Sequence, residues 1–165
     1  MKVNFNTVKN SVKNALIKYC GVEEGEADGM IYGQDGLDKI MNDMFNLPPQ
    51  IEANVYGLHI GEHEFDLCVT VDNDEPHSSM CLLQFGECID IDGAREAIEE
   101  YSRGEFGDIF TVENEVNENN DIFMLNYSFE PTSLSELEFA IDMLFAMFTG
   151  EEFIGAVSKV LKYFD

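Results

Sequence analysis

The chain has 165 residues, 33 Asp and Glu against 9 Lys and Arg for a formal charge of −24, and an apolar share of 45% that includes 13 Phe and 6 Tyr. Such an acidic field excludes nucleic acid and anionic membrane surfaces as partners and favours a basic protein, a cation or plain solubility. The apolar share separates the chain from acidic disordered tails, which bury too little apolar surface to offset their chain entropy.

The size fits one α+β domain over residues 1–165, burying roughly 70% of the surface its unfolded chain exposes. Charge is unevenly placed. Residues 1–20 carry Lys2, Lys9, Lys13 and Lys18 with no acid, whereas residues 21–158 carry 32 acids against Lys39, Arg95 and Arg103. Asn and Lys scattered through the first twenty residues leave no continuous apolar segment of signal-peptide type, and no other stretch approaches a membrane span, so a cytoplasmic protein is expected. Cys20, Cys68, Cys81 and Cys88 contain no CxxC pair and read as reduced packing residues.

Taken in chain order, Phe5, Val8, Val12, Leu16, Tyr19 and Cys20 recur at steps of three and four, which places one apolar stripe on a helix that Gly21 stops. Residues 21–36, rich in glycine and acid, read as a mobile loop. A short helix with Leu37, Ile40, Met41, Met44 and Phe45 on one face is then ended by Pro48 and Pro49. The period next changes to two. Tyr56, Leu58 and Ile60 alternate with Val55, Gly57 and His59, and Phe65, Leu67, Val69 and Val71 with Asp66, Cys68, Thr70 and Asp72, around a turn at Gly61-Glu62-His63.

Met80 to Leu83 is apolar on both faces, as in a central strand. From Asp92, read as a helix cap, Ala94, Ile98 and Tyr101 oppose Glu96, Glu99 and Glu100 as far as Gly104. A second hairpin sets Phe110 and Val112 against Phe123, Leu125, Tyr127 and Phe129 through the polar turn at 117–120. Ser133 with Glu136 forms a capping box for a helix carrying Leu134, Leu137, Ile141, Leu144, Phe145 and Phe148. Gly150 breaks it, and a last helix lays Phe153, Val157, Val160, Leu161 and Phe164 on one face. The resulting order, α-α-β-β-β-α-β-β-α-α, predicts an antiparallel sheet of about five strands with helices packed on one face.

Catalytic signatures are weak. His59-Ile60-Gly61-Glu62-His63 matches the H-x-x-E-H pattern of inverted zinc peptidases, but that chemistry needs both imidazoles on one helical face, and here Gly61 interrupts strand-period sequence. A polar hairpin turn fits better. Asp72-Asn73-Asp74-Glu75 and Asp90-Ile91-Asp92-Gly93 each supply part of a calcium loop without completing its ligand series. No nucleophile constellation or phosphate-cradling glycine pattern appears, so no enzyme activity, cofactor or metal is expected.

A binding surface is the stronger expectation. If Phe65, Leu67, Val69, Leu83, Phe110, Val112, Phe123, Leu125 and Tyr127 pack under the helices, the other sheet face displays Cys68, Met80, Leu82, Ile109, Ile122 and Met124. That is too apolar for a merely solvated face and suits a dimer or partner surface, with Met supplying adaptable contacts.

The core order α-β-β-β-α-β-β-α over about residues 37–149 resembles the type III secretion chaperone-like fold, including the YbjN family of bacterial proteins. The likeness is greatest at 121–148, where a hydrophobic strand meets a Pro/Thr/Ser turn and a helix rich in Leu and Phe. The resemblance implies a small acidic dimer that holds an extended segment of a client without catalysis. The expected function is therefore a non-catalytic intracellular protein-binding module, a homodimer whose protein partner or client segment is basic, with no nucleic acid or membrane partner. The alternative is an immunity-type inhibitor whose carboxylates occupy the phosphate site of a basic enzyme such as a nuclease toxin.

Overall fold

Asn4 begins the first helix by accepting a hydrogen bond from the Thr7 N–H at 2.9 Å, which satisfies one of the donors that a helix start leaves open. The computed structural model describes residues 3–33, 44, 50–72, 77–113 and 122–164. Among these, the helices are α1 (Phe5–Cys20), α2 (Glu24–Met30), α3 (Ile91–Arg103), α4 (Leu134–Phe148) and α5 (Glu151–Leu161). The strands are β1 (Ile31–Gly33), β2 (Gln50–Ile60), β3 (His63–Asp72), β4 (Ser78–Phe85), β5 (Thr111–Val112) and β6 (Ile122–Phe129). They form one antiparallel sheet in the order β1-β2-β3-β4-β6-β5. The architecture is α+β as expected, with six strands in place of about five.

The additional strand comes from the segment expected to be a mobile loop. Residues 24–30 are helical and 31–33 pair with β2, Ile31 opposite Val55. Tertiary contact overrides weak local propensity here. Ala27 and Ile31 are buried, and Lys13 of α1 meets Glu24 at 3.4 Å and Asp28 at 3.2 Å while Lys9 meets Asp28 at 3.8 Å. The basic N-terminal helix thus serves as counter-charge for the acidic segment that follows it. The short helix expected between Leu37 and Phe45 lies, Met44 apart, outside the described residues, as do the turn at 117–120 and positions 73–76.

Alternation along β3 defines the two faces of the sheet. Phe65, Leu67, Val69 and Val71 are buried, whereas Glu64, Asp66, Cys68 and Thr70 on the opposite face are exposed or half-buried. One face carries the core under the helices, and among the described residues no helix covers the other, the open face. In β2 the alternation is reset between Val55 and Leu58 by a bulge. Gly57, at φ 68°, adopts the left-handed conformation there, and its N–H donates to Asp66 Oδ1 at 2.9 Å. An extra residue at that point lets both Val55 and Leu58 face the core and leaves Tyr56 outside. Gly61, at φ 63°, opens the two-residue turn into β3.

Phenylalanines dominate the core. Phe110 meets Phe153 at 5.6 Å between ring centroids and Phe148 at 6.4 Å, and Phe145 meets Phe148 at 4.6 Å, all fully buried. Tyr101 of α3 donates its hydroxyl to the buried Phe110 carbonyl at 2.9 Å. Helices α1 and α4 are joined by Tyr19, whose hydroxyl donates to Asp142 Oδ2 at 2.9 Å, and by Lys18 to Asp142 Oδ1 at 3.2 Å. The Tyr19 hydrogen bond is the main reason that the Asp142 carboxyl titrates below the usual range.

Helix starts follow their caps. Ser133 accepts from the Glu136 N–H at 3.2 Å, and Glu136 Oε2 accepts from the Thr132 hydroxyl at 2.8 Å and from the Thr132 N–H at 2.6 Å. This is the expected capping box with its return bond shifted one residue outward. For α3 the cap is Asp90, accepting from Gly93 N–H at 3.1 Å. Asp92 lies in the first turn and is not the cap, because the helix begins at Ile91, two residues earlier than a cap at Asp92 implies.

Candidate interaction surface

The open face is assembled from β3, β4 and β6, whose register places Asp66, Leu83 and Met124 in one row, Cys68, Cys81 and Asn126 in the next, and Thr70, Ser79 and Ser128 in a third. Phe85 pairs with Ile122 at the end of the sheet beyond Leu83. Polar residues therefore occupy one end of the face. The other end is an apolar strip of Leu83, Phe85, Ile122 and Met124. Phe85 is 66% exposed, far more than a core residue.

Three of the six residues expected on this face are placed elsewhere by the fold. Cys68, Ile122 and Met124 do belong to it. Met80 and Leu82 do not: both are fully buried and pair with Val69 and Leu67 on the core side. Leu83, expected under the helices, takes their place outside. A one-residue shift in parity moves every side chain of a strand to the other face, and β4 is apolar at consecutive positions, so its sequence carries no alternation to fix the parity. Ile109 is not on a strand; it sits in the turn after α3 and packs against the core from there. Phe85 and Leu83 were missed for these reasons, although the exposed position of Phe85 beside Gly86 was a usable signal that the strand ends there.

The thiols on this face are half-buried and free. Cys81 donates to Asn126 Oδ1 at 2.9 Å and Cys68 to Glu52 Oε1 at 3.4 Å. Burial pushes the Cys68 thiol up to about 12 and raises Cys81 in the same direction, which suits packing groups more than nucleophiles.

Elsewhere, His59 and His63 lie on facing strands either side of the hairpin turn, with His63 Nε2 within 2.8 Å of Ser158 Oγ. The hairpin expected at this motif is the structure found. Among the described residues no group of three His, Cys, Asp or Glu side chains stands close enough to hold a metal. A groove of about 300 Å³ between α3 and α5 is lined by Tyr101, Phe106, Arg103 and Lys159 with Glu100 and Glu105, so its charges are balanced. No described helix is long and apolar enough to cross a membrane. No protein-family model, curated protein or solved structure matches this chain.

Proposed function

We propose that the chain is a non-catalytic, intracellular protein-binding module of chaperone-like character, which holds a segment of a partner protein on the open face of its sheet. The supporting observation is the apolar strip of Leu83, Phe85, Ile122 and Met124 on the face away from the helices, with Phe85 66% exposed. Monomeric soluble proteins rarely leave contiguous apolar surface of this kind without a use for it. The residues around the strip are hydrogen-bonding groups of intermediate burial, an arrangement that resembles the rim of a docking site more than a reactive centre.

A photocrosslinking amino acid at position 85, compared with one at Phe139, tests the reading. Phe139 is 69% exposed on α4 in the helical layer, so it controls for apolar exposure alone. The expected result is one partner protein crosslinked from position 85 in a native extract and not from position 139. Partners recovered only from position 139, or none from 85, would remove the proposal. Crosslinks from 85 solely to a second copy would make the face a homodimer interface instead.

A further inference from the structure

We propose that the segment held on the open face is cationic: an extended stretch of another protein in which arginine or lysine alternates with apolar residues. This rests on the docking reading above and supplies its chemistry. Glu64, Asp66, Leu83, Gln84 and Phe85 enclose a cleft of about 320 Å³ at the edge of the apolar strip. Its polar groups are rich in acceptors. Asp66 engages Gly57 N–H through Oδ1, and the exposed Glu64 adds a second carboxylate beside it. A guanidinium or ammonium group carries donors and no acceptor, so it complements this set where a carboxylate or phosphate would be repelled.

The distribution of charge over the molecule points the same way. Every described lysine and arginine lies on α1, α3, α5 or the residue after α5, all in the helical layer, and no described strand carries one. The open face carries Glu52, Glu64 and Asp66 instead. Two of the lysines of α1 are engaged by α2 and the third by Asp142. A second copy of the chain is the poorer occupant, because it would bring the same carboxylates against each other, and like-charge juxtaposition disfavours association. Leu83 and Met124 lie one and two strand spacings from Asp66, about 5 and 10 Å away. A single extended segment therefore places a cation in the cleft and apolar side chains on the strip together.

Three synthetic peptides separate the possibilities: one alternating arginine and leucine, one arginine and serine, and one glutamine and leucine. Binding is followed by fluorescence anisotropy, with backbone amide shifts of the protein reporting the location. The expected result is binding of the arginine–leucine peptide alone, with shifts confined to β3, β4 and β6. Affinity should fall about tenfold with Glu64→Lys and with Phe85→Ser, and should weaken as salt is raised from about 50 to about 500 mM. Glu64→Gln serves as the milder second variant, and unchanged melting temperatures exclude misfolding. If the glutamine–leucine peptide binds the same face equally well, the docking surface stands and the cationic preference falls. Equal binding of the arginine–serine peptide, with shifts spread over the molecule, overturns the proposal as non-specific attraction. Absence of shifts on the open face with any peptide overturns both this inference and the docking reading.

Discussion

Gly57→Ala and Gly61→Ala place the same methyl group at two positions of nearly equal backbone conformation, φ 68° and 63°, but in unequal surroundings. The backbone term is shared. An L-residue in the left-handed region costs about 1–2 kcal/mol relative to glycine. At Gly57 a Cβ would meet Glu64 Oε1 at 3.0 Å, the far end of a flexible side chain that swings away at little cost. At Gly61 it would meet Ile154 Cγ2 at 2.7 Å, on a β-branched side chain of α5 packed against the core, where overpacking adds about 1–3 kcal/mol. Gly57→Ala should therefore lose about 1–2 kcal/mol and Gly61→Ala about 2–5 kcal/mol, measured by urea unfolding followed with circular dichroism. Ile154→Ala in the Gly61→Ala background should recover most of the difference, leaving a coupling of about 1 kcal/mol or more in the double-mutant cycle. Equal losses for the two glycines, or no recovery with Ile154→Ala, would refute the assignment of the excess to the β2–β3 turn docking on α5.

Phe110→Ala should cost about 3–5 kcal/mol in the same assay, since its ring is fully buried among Tyr127, Phe148 and Phe153; Tyr101→Phe should cost about 1–2 kcal/mol by stripping the donor from the buried Phe110 carbonyl. Glu136 titrates below the usual carboxylate range, chiefly because the Thr132 N–H hydrogen-bonds to it. A depressed folded value means that this stabilisation is complete above the ordinary glutamate range and is lost as pH falls through the folded value. The stability difference between the natural protein and Glu136→Gln should accordingly be largest near neutrality and vanish in acid, and a difference independent of pH would contradict the cap. With a net charge of −24, the melting temperature should rise with added salt as self-repulsion is screened; a flat response would show that the pairing of α1 with α2 and Asp142 already relieves the repulsion.

Much of this fold was written in local sequence. The apolar stripes of α1, α3, α4 and α5 repeat at helical spacing, and Val8, Val12, Leu16, Phe145, Phe153 and Val157 are all buried as that spacing requires. The β2–β3 hairpin followed from alternation and a Gly-Glu turn, and Ser133 with Glu136 announced α4. These features depend on near neighbours and on the period of the backbone, so adjacent residues suffice to specify them.

Three things were decided only by the assembled chain. Residues 24–33 read as loop because glycine and acid dominate them, yet Ala27 and Ile31 find buried places and Lys9 and Lys13 supply the opposite charge. The Gly57 bulge reverses the parity of β2 through a hydrogen bond to Asp66, a residue on another strand. The face of β4 could not be read from an unbroken apolar run: Met80 and Leu82 go inward and Leu83 and Phe85 outward because β4 must stay in register with Val69 and Leu67 on β3 and with Leu125 on β6. Charge excess was visible in composition, but its segregation was not. Only the packing of all the helices on one side of the sheet separates the lysines and arginines from the carboxylates of the open face.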